Sequence, residues 1–101
     1  MEEQEQVAAF IEAEGMEAPP AYRLLDLISE VGEVAKDAAE STDYGSAPTE
    51  LEVKSDEIGD VLFALLAFSE ALDINAGAAL GEALGKYDDR IADAGEPSSG
   101  H

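Results

Sequence analysis

Two pairs of acidic residues have a spacing that could build a metal site. Glu30-Val-Gly-Glu33 and Glu57-Ile-Gly-Asp60 each place two carboxylates three residues apart, so both members of a pair lie on one face of a helix. Sites made of carboxylate oxygens favour hard cations such as Mg²⁺ or Mn²⁺, whereas zinc prefers nitrogen and sulfur ligands. If the two helices converge, we expect the metal ligands to be Glu30, Glu33, Glu57 and Asp60.

The surroundings of these pairs, rather than their spacing, set them apart. With 24 acidic residues among 101, chance would give roughly six pairs at this spacing, and the sequence contains eight. However, the helical face that opens with Glu57 and Asp60 continues with apolar residues alone, namely Val61, Ala64, Ala67, Phe68 and Ala71. Carboxylates at the edge of a buried face need a metal, another cation or a raised pKa.

A buried network of ion pairs is the alternative to a metal site. Lys36 follows Glu33 by three residues and Lys54 precedes Glu57 by three, so each lysine could neutralise an acid on its own helix. The chain lacks the Glu-x-x-His pairs of di-iron helical bundles. The residues alone leave the hard-cation site and the ion-pair network as equal alternatives.

Hydrophobic periodicity predicts four helices and no strands, and therefore an all-α fold. We expect helices over residues 3–14 and about 22–39. A third helix should begin at Thr49, with Glu52 completing a capping box, and reach about Leu72. A fourth, capped by Asn75, should end near residue 94. Residues 1–94 would form one domain and 95–101 a flexible tail that carries the single histidine, His101.

The third helix also predicts self-association. Residues 61–68 are apolar over nearly the whole helix circumference, and three short neighbours cannot cover every side of it. We therefore expect a homodimer or homotetramer whose partner completes a four-helix core. Gly32 and Gly59 would leave space for a neighbouring helix beside the acids.

The composition limits the class of partner. The formal net charge is −19 and 46% of residues are hydrophobic, which predicts a folded core under an acidic surface rather than disorder. The surface has no basic patch for nucleic acid, the longest apolar run is too short for a membrane span, and a cytoplasmic location is expected. The composition resembles that of proteins from salt-loving organisms, in which salt screens such repulsion.

The motifs "SEVGE" and "DEIGDVLF", with "KYDDR" on the last helix, resemble those of the MazG-like nucleoside triphosphate pyrophosphohydrolases. The resemblance spans about residues 25–90. It implies a four-helix-bundle-type fold completed by oligomerisation, and cleavage of a nucleoside triphosphate to the monophosphate and pyrophosphate. Leu84 stands where family sequences often have asparagine, two residues before Lys86.

The resemblance also implies roles for individual residues. The four acids would hold Mg²⁺ or Mn²⁺, and Glu33 or Glu30 would act as the catalytic base for an attacking water. Lys86, Arg90 and Lys54 would contact the substrate phosphates. A phosphoribosyl-ATP pyrophosphohydrolase with the same metal cluster and a non-catalytic helical interaction module are the alternatives.

Overall fold

Four α-helices account for most of the chain in the computed structural model, which describes residues 1–94. They are α1 (Glu2–Glu14), α2 (Pro20–Ser41), α3 (Ser55–Ala71) and α4 (Ala76–Ala94), with one 3₁₀ turn at Pro48–Glu50. Residues 1–94 contain no strand, so the all-α prediction is confirmed. The predicted tail, 95–101, lies outside the described residues.

The end of α1 and the start of α2 lie close to where the sequence predicts them. Gly15 follows α1 with φ +63°, and the Met16 amide donates back to the Ile11 carbonyl at 2.9 Å, a glycine-terminated helix end. Pro20 occupies the first turn of α2, where its missing N–H costs no hydrogen bond. The helix therefore starts two residues earlier than expected.

The predicted start of α3 is wrong. Thr49 and Glu52 form no capping box, because Pro48–Glu50 is a 3₁₀ turn and α3 begins at Ser55. The Glu52 amide instead donates to the Ser41 hydroxyl at 2.9 Å, which ties this segment to the end of α2. Glu57 consequently lies in the first turn of α3, where the free N–H groups and the helix dipole favour a negative charge.

Helices α2 and α3 pack against each other, and α1 packs across α3. Arg23 lines a cleft with Ala67, and Glu30 lines another with Asp60. Because the later residue of α2 lies beside the earlier residue of α3, the two helices run antiparallel. The fully buried apolar residues are Ile11, Ala64, Leu66 and Ala67.

The face that α2 turns towards α3 includes only part of the buried face that helical periodicity predicts, namely Leu24, Leu27, Ile28, Val31, Val34, Ala35 and Ala38. Its least exposed side chains follow helical spacing and include three charged residues: Arg23, Leu27, Glu30, Val34 and Asp37. Leu24, Ile28 and Val31 lie about 100° further round the helix and are exposed. We call the first set the charged stripe of α2 and the second its apolar stripe.

Helix α4 points away from the other three. It is bent by 102° from α3, and Asn75 caps it as predicted, since its Oδ1 accepts the Ala78 amide at 2.9 Å. It has no extensive contact with α1, α2 or α3, and its apolar residues Leu80, Leu84, Tyr87 and Ile91 are exposed. The radius of gyration, 16.6 Å, exceeds the roughly 13 Å of a compact domain of this length.

The glycines between the paired acids do not lie against a neighbouring helix of the same chain. A Cβ added at Gly32 or Gly59 would meet no atom within 4 Å, so the packing of α2 on α3 within one chain does not require these glycines.

Within residues 1–94, no single helix is long and apolar enough to cross a membrane. Helices α3 and α4 have the required length and composition only when they are taken together, and the chain bends by 102° between them.

The side chain of Gln4 fixes the turn between α3 and α4. It is 5% exposed, its Nε2 donates to the Ile74 carbonyl at 2.8 Å, and its Oε1 accepts the Ala76 amide at 2.7 Å. We predict that Gln4→Ala lowers the free energy of unfolding by about 1–3 kcal/mol, because two backbone groups lose their partners. Urea unfolding measures the change, and Gln6→Ala, at an exposed position of α1, is the control. Equal stability of the two variants would contradict the role assigned to Gln4.

Candidate functional site

The antiparallel packing brings the two acid pairs to the same level of the α2–α3 interface. Glu30 and Asp60 line one pocket of about 180 Å³ together with Arg23, Asp26, Met16, Phe63 and Ala64. Glu30 is half-buried and Asp60 is exposed. One member of each acid pair therefore lines the same pocket.

The second half-buried acid, Glu57, faces a carboxylate that the sequence did not single out. Its neighbour across the interface is Asp37, one turn after Glu33 on α2. A hydrogen bond with Asp37, burial, and the negative charge of Asp37 raise the pKa of Glu57 above 4.5, while the Lys54 charge acts in the opposite direction. Asp37 and Glu57 are therefore neighbours across the interface, and their mutual repulsion favours the protonated form of Glu57.

One carboxylate oxygen of Glu57 is buried without a hydrogen-bond donor within residues 1–94. Oε2 is buried and meets no hydrogen-bond donor among the described residues. When both carboxylates are ionised, neither can donate, so a proton or a cation is needed between them. A hard divalent cation would satisfy the same oxygen, and the nearby ligands are all oxygen atoms. The donor set fits Mg²⁺ or Mn²⁺ on these grounds.

The four expected ligands are not all gathered as the side chains stand. Across residues 1–94, no three carboxylates or histidines lie close enough together to hold a metal ion. Glu30 is near Asp60, Glu57 turns to Asp37, and Glu33 is exposed. Crowded carboxylates without a cation repel one another, which favours such a spread arrangement.

The lysines do not form the alternative ion-pair network. In the part of the chain that the structure describes, the one ion pair within 4 Å joins Arg23 to Asp26, at 3.8 Å. Lys36 is exposed. Lys54 lines a cleft of about 310 Å³ with Asp37, Glu40, Ser41 and Glu52, so it lies beside the Asp37–Glu57 pair and acts on it through its charge.

The cations of α4, Lys86 and Arg90, lie far from the two acid pairs of their own chain. At 1.5 Å per residue, and with the 102° bend between α3 and α4, the Cα atoms of Asp60 and Arg90 are about 25 Å apart. The Arg90 guanidinium instead lies 5.8 Å from the centre of the Tyr87 ring, within cation–π range. Within one chain, Lys86 and Arg90 therefore do not reach the acid pairs.

Sequence reasoning missed Arg23 and Asp37. Both belong to the charged stripe of α2, at i, i+4, i+7, i+11 and i+14 from Arg23. A search for charged residues at helical spacing from Glu30 would have found them. The search for apolar periodicity selected the neighbouring apolar stripe instead.

The raised pKa of Glu57 predicts how stability changes with pH in metal-free buffer. A carboxyl group whose pKa is higher in the folded state destabilises the fold once it ionises, and this effect is absent below its unfolded value. Glu57→Gln should therefore melt at a higher temperature than the wild type at pH 7, and the difference should shrink as the pH falls towards 4.5.

Thermal unfolding between pH 4 and pH 8 measures this difference, and Asp37→Asn should change stability in the same direction. The matched control is Glu82→Gln on the exposed surface of α4, whose melting curve should follow the wild type at every pH. A Glu57→Gln variant that is less stable than the wild type at pH 7 would contradict the raised pKa of Glu57.

Comparison of the chain with protein-family models, with curated proteins and with solved structures gives no match.

Proposed function

We propose that this protein is a Mg²⁺-dependent nucleoside triphosphate pyrophosphohydrolase of the MazG-like type. The observation that carries the proposal is the carboxylate-rich interface between α2 and α3, where Glu30 shares a pocket with Asp60 and a buried oxygen of Glu57 lacks a donor. The motif resemblance supports the same substrate class. Mn²⁺ is an equivalent cofactor for an all-oxygen site.

The residues that would hold the cation are Glu30, Glu33, Glu57 and Asp60. A bound Mg²⁺ would supply Lewis-acid stabilisation of the phosphate charge and a more acidic bound water. Glu33 is exposed, so it would have to change its side-chain rotamer to join the other three ligands. When the cation binds, Glu57 would lose its proton and turn from Asp37 towards the metal.

The chemical step is hydrolysis of the bond between the α- and β-phosphates. A water molecule attacks the α-phosphorus, its proton passes to a carboxylate of Glu33 or Glu30, and pyrophosphate leaves with the electrons of the broken P–O bond. A substrate with about four negative charges can approach a protein of net charge −19 when cations lie between them. The acids thus serve the substrate through the metal.

We propose further that the working form is a homodimer or a dimer of dimers. The apolar stripe of α2 and the apolar residues of α4 are exposed in one chain, and burial of such faces is worth about 25 cal/mol per Å². If α4 of a second copy packed on the apolar stripe, it would bring Lys86 and Arg90 of the partner subunit towards the acid pairs. The phosphate contacts expected from the sequence would then be made between subunits.

Replacing any one of Glu30, Glu33, Glu57 and Asp60 by its amide tests the activity. We predict that each variant loses at least 100-fold in the rate of pyrophosphate release from a panel of nucleoside triphosphates, since each removes a metal ligand. Circular dichroism checks that the helices persist, and Glu82→Gln serves as the active control. Near-wild-type rates in any two of the variants would refute the proposed site.

The same assay, with phosphoribosyl-ATP added to the panel of substrates, separates the alternative functions. Turnover of phosphoribosyl-ATP without turnover of nucleoside triphosphates would identify the related pyrophosphohydrolase activity. Folded protein that releases no pyrophosphate with any substrate, in the presence of Mg²⁺ or Mn²⁺, would leave a non-catalytic helical interaction module.

Light scattering in molar KCl tests the assembly. We predict a mass of at least twice the chain mass of 10.6 kDa at micromolar concentration. Leu84→Asp should shift the mass towards the monomer, because it places a charge in the contact. Asp89→Asn, on the opposite side of α4, should leave the mass unchanged. A monomeric wild type would contradict the proposed assembly.

A further inference from the structure

Arg23 is the one charged side chain of α2 that is buried. It is 7% exposed in a protein that has five lysines and arginines against 24 acids. Burial of a charge is costly unless the charge is paired and hydrogen-bonded. The partners of this guanidinium are therefore informative.

Those partners leave most of the guanidinium unused. Nη2 donates to the Met16 carbonyl, and Nη1 lies 3.8 Å from Asp26 Oδ2, beyond hydrogen-bond distance. The Asp26 side chain is 63% exposed, so water weakens this ion pair. A guanidinium has five N–H donors, and within residues 1–94 Arg23 uses one of them in a hydrogen bond.

Arg23 lies where its remaining N–H donors can bind a group in either of two clefts. It lines the pocket that contains Glu30 and Asp60, and also the adjoining cleft of about 460 Å³ with Glu12, Glu17 and Glu70. Among the residues that line these two clefts, Arg23 is the one cation. The guanidinium thus stands between the two clefts, beside two of the proposed metal ligands.

We propose that Arg23 binds the phosphate chain of the substrate beside the metal ligands. This inference rests on the proposed function and names a residue that neither the motifs nor the resemblance assign. The planar guanidinium can bind two phosphate oxygens at once, and it has the free donors to do so. Of the three cations expected from the sequence, Lys86 and Arg90 are too distant in the same chain to take this role. Lys54 lines a different cleft, beside Asp37.

The size of the acid pocket agrees with a phosphate group as its occupant. Pockets for whole small molecules usually have volumes of about 300–1,000 Å³, whereas this one has about 180 Å³. It can hold the phosphate part of a nucleotide and a metal ion, but a base and a sugar would have to lie outside it. Arg23 would then compensate for the negative charge that the metal ligands leave in the pocket.

Calorimetric titration of pyrophosphate into the Mg²⁺-loaded protein tests this role without any turnover. We expect Arg23→Gln to raise the dissociation constant at least tenfold. Arg23→Lys should have a smaller effect of about threefold or more, because a lysine keeps the charge but loses the two-point contact. Glu82→Gln, on the exposed surface of α4, is the matched control and should bind pyrophosphate as tightly as the wild type.

Thermal unfolding separates this role from a structural one, in which Arg23 merely fastens the α1–α2 loop through Met16. If Arg23→Gln does not fold, Arg23→Lys carries the test. A folded Arg23 variant with unchanged affinity for pyrophosphate would overturn the proposal, as would a wild type that binds no pyrophosphate.

The outcome is distinguishable from failure of the proposed function. A wild type that binds pyrophosphate through Arg23 but hydrolyses no nucleotide would refute the enzymatic function and support the anion site. Hydrolysis with kcat and KM unchanged in Arg23→Gln would support the enzyme and refute the role of Arg23.

Discussion

The packing of a charged stripe of α2 against α3 is the constraint on which the rest of the structure depends. Most amphipathic helices bury their apolar side, but here Arg23, Glu30 and Asp37 face the neighbouring helix. Partial burial of carboxylates in a protein with few cations requires compensation by a proton, an arginine or a metal ion. The raised pKa of Glu57 and the donor-free Oε2 are direct consequences. A divalent cation would remove both effects at once.

The same constraint leaves apolar surface on the outside. Because the charged stripe of α2 faces α3, Leu24, Ile28 and Val31 remain exposed, and α4 adds four more apolar side chains that are exposed within residues 1–94. Surfaces of this kind mark sites of protein–protein contact. The candidate site and the proposed assembly are therefore linked, since the orientation of α2 that turns Glu30 towards α3 also leaves the apolar stripe exposed.

Helix content was predictable from the sequence because hydrophobic periodicity and the signals at Gly15, Pro20 and Asn75 act locally. The start of α3 was not, because the Glu52 amide is captured by Ser41, a contact between segments that local capping rules cannot anticipate. Context singled out the acid pairs, and one member of each pair, Glu30 and Glu57, is half-buried, whereas Glu33 and Asp60 are exposed. Asp37 and Arg23 were missed because periodicity ranks apolar stripes above charged ones. Their role depends on which face of α2 meets α3, and this choice is made by the tertiary packing.

Binding of a divalent cation by the acids of the α2–α3 interface can be measured by titration of Mn²⁺ followed by electron paramagnetic resonance. We predict saturable binding at pH 7.5 that raises the melting temperature of the protein. We also predict that Glu30→Gln and Glu57→Gln weaken the binding at least tenfold, while Glu82→Gln, on the exposed surface of α4, leaves it unchanged. Absence of saturable binding, or equal affinity in all three variants, would show that these acids do not hold the cation.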